Sequence, residues 1–73
     1  MKKMSELGPD ERGVVAIMGA DTSMRRRFFD LGLVLGTAVE CVGKSPGGDP
    51  SAYLIRGAVI AIRASDCSDI YVI

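Results

Sequence analysis

Apolar residues recur at helical spacing in one segment of the chain. Met24, Phe28 and Leu31 lie at i, i+4 and i+7, which places them on one face of a short helix over about residues 23–31. Gly32 follows at the position where a left-handed cap ends a helix. Three consecutive polar residues can cap its start: Asp21, Thr22 and Ser23. The pattern therefore predicts one short amphipathic helix in the first half of the chain.

Elsewhere, short apolar and β-branched segments are bounded by glycine, proline or polar residues, which is typical of strands. Five such segments are predicted as strands: residues 13–19, 37–44, 52–56, 58–63 and 70–73. Residues 1–7 are expected to form a loose start, and residues 64–68 one short helical turn. Five short strands with one helix between the first two favour a small, strongly bent barrel, because closure hides the edges that a flat sheet exposes.

The inward positions of these elements form the predicted core. At 73 residues the chain makes one domain, residues 1–73. A domain of this size buries only about 60% of its unfolded surface, but a hydrophobic fraction of 48% is enough for folding. The predicted core consists of Val15, Ile17, Phe28, Leu31, Leu33, Val39, Cys41, Tyr53, Ile55, Ile60, Ile62, Ile70 and Val72.

The charge balance bears on the partners that the chain can bind. Nine Lys and Arg residues offset nine Asp and Glu residues, so the formal net charge is zero. A general nucleic-acid binder carries a basic excess, and no nucleic-acid partner is expected. Near-zero net charge weakens repulsion between copies, which makes weak homo-oligomers plausible. The longest apolar run, residues 58–62, is far too short to cross a bilayer, and we expect a soluble, cytoplasmic protein.

Residues that could carry chemistry are sparse. The chain has no histidine and only two cysteines, Cys41 and Cys67, whose wide separation does not fit a zinc or iron site. Both are predicted as reduced, mostly buried thiols, and no metal or cofactor is expected. Residues 38–45 match a loose phosphate-loop pattern, but they are strand formers followed by proline and glycine instead of a helix. With no serine beside an evident base and no carboxylate pair, no enzymatic activity is predicted.

Several short motifs nevertheless occur in a specific order along most of the chain. They are the basic helix leading into residues 30–33 (Asp-Leu-Gly-Leu), Gly36 and Thr37, the turn from Pro46 to Pro50, Gly57, and residues 60–63 followed by Asp66. In order and spacing they resemble the FeoA family, from about Gly13 to the end of the chain. The resemblance implies an SH3-like β-barrel and a non-enzymatic, cytosolic accessory protein of bacterial ferrous iron uptake, whose partner is the membrane transporter FeoB. Similar domains occur at the C-termini of diphtheria-toxin-repressor-type metal regulators, so a ligand- or metal-sensing module is the alternative.

The contact residues of such a docking module are predicted beside the helix. Arg25 and Arg26 supply positive charge, and Val34 and Leu35 lie in the turn after the helix without an evident place in the core. The arginines fit equally the solvated face of an amphipathic helix. An adjustable loop is predicted as a further contact: Gly47, Gly48 and Asp49. Leu35 stands where the family often has proline and Gly47 where it has a larger apolar residue, which predicts a less rigid turn and loop.

Overall fold

The computed structural model describes residues 1–19 and 22–73. In these residues it contains six strands, one α-helix and two short 3-10 helices. The strands are β1 (Lys2–Lys3), β2 (Arg12–Ile17), β3 (Ala38–Lys44), β4 (Ser51–Ile55), β5 (Ala58–Ile62) and β6 (Tyr71–Val72). The helix α1 covers Thr22–Asp30, and the 3-10 helices cover Met4–Glu6 and Ala64–Asp66. The mainly β class with one helix between the first two long strands is confirmed.

All neighbouring strands are antiparallel, in the order β1-β6-β2-β3-β4-β5. Strand β2 joins the two halves of the sheet, since its first three residues pair with β3 and the residues from Val15 onward pair with β6. A register shift between Val15 and Ile17 marks a bulge there, which bends a strand strongly. Within the described residues the terminal strands β1 and β5 do not pair, so the bent barrel is not closed by backbone hydrogen bonds.

The core lies inside this bent sheet and under α1. Most of the predicted core residues are buried there, and Ile60 packs against them while remaining partly exposed. The buried apolar side chains are Met4, Leu7, Val15, Phe28, Leu33, Val39, Cys41, Tyr53, Ile55, Ile62, Cys67, Ile70 and Val72.

The first seven residues are ordered against the sheet, and the prediction of a loose start is wrong. Lys2 and Lys3 pair with β6, and the backbone N–H of Met4 donates to the carbonyl of Ile70 at 2.8 Å. This pairing brings Met4 and Leu7 into the core, where both are buried. The partner strand lies at the other end of the chain, so no local pattern indicates the pairing.

Two predicted core residues lie at the surface. Ile17 is 46% exposed, because it follows the register shift at the end of β2. Leu31 keeps the helical bond of its N–H to the carbonyl of Arg27 and lies on the same side as Phe28, but it lines an open groove at the end of α1 and is 43% exposed. Leu33 is fully buried in its place.

The start of α1 also differs from the prediction. The structure makes Thr22 and Ser23 the first two residues of the helix, so neither is the capping residue that precedes it. Asp21, the third candidate, lies outside the described residues. None of the helices in the described part of the chain is long and apolar enough to span a membrane, and α1 itself has nine residues.

Candidate functional site

The C-terminal end of α1 is fixed to the core by a pair of backbone hydrogen bonds. The N–H of Leu33 donates to the carbonyl of Phe28 at 2.8 Å, and the N–H of Gly32 donates to the carbonyl of Phe29 at 2.9 Å. Gly32 has a φ of 86°, a left-handed conformation that glycine adopts without the Cβ penalty. This is the Schellman arrangement, and its usual apolar contact is supplied by the buried Phe28 and Leu33. The predicted glycine cap is therefore confirmed.

The turn after the helix is held together by one buried hydroxyl. The Oγ1 atom of Thr37 accepts from the N–H of Val34 at 3.1 Å and donates to the carbonyl of Gly32 at 3.0 Å. The N–H of Thr37 donates to the carbonyl of Val34 at 3.0 Å, which closes the turn. The turn is also bonded to strand β2, since the N–H of Gly36 donates to the carbonyl of Val15 at 2.8 Å. These bonds hold the turn in place with Leu35, instead of proline, at its tip.

An exposed apolar groove lies between this turn and α1. Its volume is ≈ 250 Å³. Two large apolar side chains on its walls are mostly in solvent, since Phe29 is 68% exposed and Leu35 is 56% exposed. Arg25 lies on the same face of α1 as Phe29, because four positions separate them, and it gives the groove a positive rim. The lining residues of this apolar groove are Met18, Arg25, Phe29, Leu33, Val34 and Leu35.

The structure brings three of the predicted contact residues together in the apolar groove: Arg25, Val34 and Leu35. Arg26 is exposed on α1 but does not line the groove, because adjacent helical positions point about 100° apart. The sequence interpretation missed Phe29, which it placed neither in the predicted core nor among the contact residues of the groove. Its position four residues after Arg25, one step off the buried stripe, is the signal that could have identified it.

The predicted loop contacts form a separate patch. The loop from Ser45 to Pro50 is closed by backbone bonds, including the N–H of Gly48 to the carbonyl of Ser45 at 2.7 Å. The carboxylate of Asp49 accepts from the N–H of Ala64 at 2.8 Å, so it fixes the loop to the second 3-10 helix. Gly47 and Gly48 are exposed, and a Cβ on either would meet no atom within 4 Å. None of the three predicted loop residues lines the apolar groove.

A second cavity lies on the other side of Arg25, between α1 and the chain that follows β5. It measures ≈ 200 Å³ and its lining includes the carboxylates of Asp66 and Asp69 together with Met24 and Phe28. These two carboxylates are the groups with which this cavity could approach a cation. Within residues 1–19 and 22–73 no three or more His, Cys, Asp or Glu side chains are grouped as a metal site.

The two cysteines are free and fully buried, as predicted. Burial raises the pKa of the Cys67 thiol to about 11. Burial, and then the negative charge of Cys67, raises the pKa of Tyr53 to about 12, and its hydroxyl donates to the carbonyl of Met4 at 3.4 Å. Because the thiolate is the reactive and metal-binding form of cysteine, a protonated, buried Cys67 behaves as a core residue.

The fold and the exposed groove define a class of protein: a small, mainly β, SH3-like domain. The model of the FeoA domain matches residues 2–73, so the chain belongs to the FeoA family. This confirms the resemblance found in the sequence, and it associates the protein with ferrous iron transport.

Solved structures agree with this assignment. A FeoA-like protein from Clostridium acetobutylicum is 32% identical, with a TM-score of 0.89 over 99% of this chain and 84% of that chain. FeoA from Stenotrophomonas maltophilia, a prokaryotic SH3 domain protein complexed with zinc, is 30% identical, with a TM-score of 0.83 over 100% of this chain and 91% of that chain. A manganese-dependent transcriptional repressor is 19% identical and shares the fold alone, with a TM-score of 0.89 over 99% of this chain and 40% of that chain. No curated protein matches the sequence.

Proposed function

We propose that this protein is a non-enzymatic, cytoplasmic accessory module of ferrous iron uptake that docks on the cytoplasmic region of a FeoB-type transporter. The observation that carries the proposal is the apolar groove, in which Phe29 and Leu35 remain exposed beside Arg25. Membership of the FeoA family indicates the process, ferrous iron transport. The relative from Stenotrophomonas maltophilia is described as a candidate activating factor of bacterial ferrous iron transport.

The groove has the composition of an interaction surface. Aromatic and arginine side chains dominate the binding energy of protein interfaces, and the groove presents Phe29 and Arg25 side by side. Among the described residues Arg25 makes no salt bridge, so its charge is available to a carboxylate of the partner. Docking would act on the transporter by favouring the conformation or nucleotide state that binds this surface better.

The hydrogen bonds of Thr37 prepare the surface for binding. They hold the backbone on both sides of Leu35 before any partner arrives. A preformed loop loses little conformational entropy on association, which favours affinity. The loop of Gly47, Gly48 and Asp49 remains a proposed second contact, in which the two exposed glycines provide the adjustable part because Asp49 is bonded to Ala64.

The test is binding of the purified protein to the soluble cytoplasmic region of the matching transporter, measured by pull-down and calorimetry at low and moderate salt. Leu35→Asp and Phe29→Asp should each weaken binding at least about tenfold, because each places a charge in an apolar contact. Val42→Asp is the matched control, since Val42 is an exposed apolar residue that does not line the groove.

Arginine variants test the charged rim separately. Arg25→Glu should weaken binding more than Arg26→Glu, and both effects should shrink at moderate salt, because exposed charges are screened. If a folded protein carrying Arg25→Glu, Arg26→Glu and Leu35→Asp binds like the wild type, this surface is not the docking site. Absence of binding by the wild type at either salt would overturn docking on the soluble region.

A second candidate function is sensing of a metal or ligand. It is favoured by Asp66 and Asp69, which both line the second cavity, together with the zinc complex of the Stenotrophomonas relative. Calorimetric titration with Fe(II), Mn(II) and Zn(II) distinguishes it from docking. Saturable heat that Asp66→Asn removes would support sensing, and absence of heat would reject it.

A further inference from the structure

Strand β5 leaves one edge of the sheet open. It is the last strand in the sheet order and pairs on one side only, with β4, over five consecutive residues without a bulge. Its sequence, Ala-Val-Ile-Ala-Ile, contains no charge and no proline. Natural sheet edges usually carry such features, because an unpaired edge is a template for another strand. The opposite edge is protected in this way, since β1 consists of two lysines.

The register shows which backbone groups are free. The loop between β4 and β5 has two residues, so Ile55 and Ala58 form a hydrogen-bonded pair, and the pairing alternates from there. Ala58, Ile60 and Ile62 therefore bond to β4, and the backbone groups of Val59 and Ala61 turn to the open edge. Within the described residues no other backbone group bonds to Val59 or Ala61, and Val59 is 64% exposed. The two N–H groups and two carbonyl groups of Val59 and Ala61 are thus available to hydrogen-bond an added strand.

The surroundings of the edge are positively charged. Arg27 of α1 lines a shallow groove of ≈ 90 Å³ beside Ile60 and Ala61. Arg56 precedes β5 in the hairpin turn and Arg63 follows its last residue, and both are exposed. None of these three arginines forms a salt bridge within the described part of the chain.

Asp66 lines this groove, and the carboxylate of Asp49 accepts from the N–H of Ala64, next to Arg63. The three positive charges of Arg27, Arg56 and Arg63 exceed these two negative charges. An extended segment placed along β5 would meet an arginine at each end and a third beside its middle. Carboxylates at the ends of such a segment could form charge-assisted hydrogen bonds with the guanidinium groups of these arginines.

We infer that β5 accepts an extended, acidic segment of another protein as an additional strand. Main-chain bonds to Val59 and Ala61 would hold the segment, and its carboxylates would contact Arg56 and Arg63. The inference concerns a surface separate from the apolar groove and stands whether or not the transporter supplies the segment.

A second copy of the chain fits this edge less well. The antiparallel register that pairs all five residues of both strands is centred on Ile60, because Ala58 then lies opposite Ile62. This register places Arg63 of each copy opposite Gly57 of the other copy. Arg63 then lies next to the Arg56 that precedes this glycine. Two pairs of arginines therefore come within one residue of each other at the ends of the paired strands, and the repulsion between like charges opposes this pairing.

The test uses two blocked peptides and the isotope-labelled protein in an NMR titration. The acidic probe has the sequence Asp-Thr-Val-Thr-Val-Thr-Asp, and the control probe carries lysine in place of both aspartates. The acidic probe should shift the amide signals of Val59 and Ala61 and slow their hydrogen exchange at least about tenfold, because those N–H groups become bonded. The lysine probe should bind at least about tenfold more weakly.

Two variants keep the test decisive. Ala61→Pro removes a donor from the open edge, and Arg63→Glu reverses one terminal charge without touching the backbone bonds. Both should weaken binding of the acidic probe. Equal binding of the two probes, no change at Val59 and Ala61, shifts confined to the apolar groove, or a protein dimer paired through β5 would each overturn the inference. None of these outcomes depends on docking to the transporter, so the two proposals fail independently.

Discussion

The buried hydroxyl of Thr37 offers a sharp test of how the turn beside the apolar groove is held. Thr37→Val keeps the shape of the side chain and removes the oxygen that joins Gly32 and Val34. The N–H of Val34 and the carbonyl of Gly32 then lose a partner in a part-buried place. The substitution should therefore destabilise the fold and loosen the segment that carries Leu35.

The size of the effect follows from the two lost hydrogen bonds. Each contributes a net stabilisation of about 0.5–1.5 kcal/mol, so we expect a loss of about 1–3 kcal/mol. A 73-residue domain has a total stability of about 4–11 kcal/mol at typical values per residue. With a urea slope of about 1 kcal/mol/M, the midpoint of unfolding should fall by about 1–3 M.

The assay is urea unfolding followed by circular dichroism, with Thr37→Ser as the matched control. Serine keeps the hydroxyl and loses one methyl group, which costs about 0.8 kcal/mol of burial. Thr37→Val should be the less stable of the two, and it should also bind the transporter region more weakly. A valine variant as stable as the wild type, or more stable than the serine variant, would refute the role assigned to the hydroxyl.

Two further predictions concern the core. Met4→Ala should destabilise the fold by about 2–5 kcal/mol in urea unfolding, because Met4 is fully buried. The control is Met1→Ala, at an exposed position, which should change the midpoint of unfolding little. Equal effects of the two substitutions would contradict the ordered N-terminus. Stability should fall as the pH rises from about 9 to about 11, because folding raises the pKa of Cys67 from 9.0 to about 11 and deprotonation therefore favours the unfolded chain. Unfolding curves at several pH values check this, and a Cys67→Ala variant with the same alkaline slope would count against it.

The candidate site was partly visible in the sequence. The helical stripe and the glycine after it located the turn, and the apolar residues without a core position, Val34 and Leu35, do line the groove. The helical stripe correctly placed Phe28 in the core, but Phe29, which lies off that stripe and is exposed, was not predicted as a contact residue. Only the tertiary structure shows that the exposed ring of Phe29 lies beside Leu35 in one groove.

The sequence by itself determined the local elements of this protein. Periodicity, glycine positions and turn residues are short-range signals, and they defined the helix with its cap, the four long strands and the family. Pairing between distant segments was decided only by the tertiary structure. Met4 is buried because β1 pairs with β6 at the opposite end of the chain. Met18 and Leu35 meet in one groove because the N–H of Gly36 is bonded to Val15 of β2. Contacts of this kind depend on how strands associate across long stretches of chain, and no pattern within a single segment records that association.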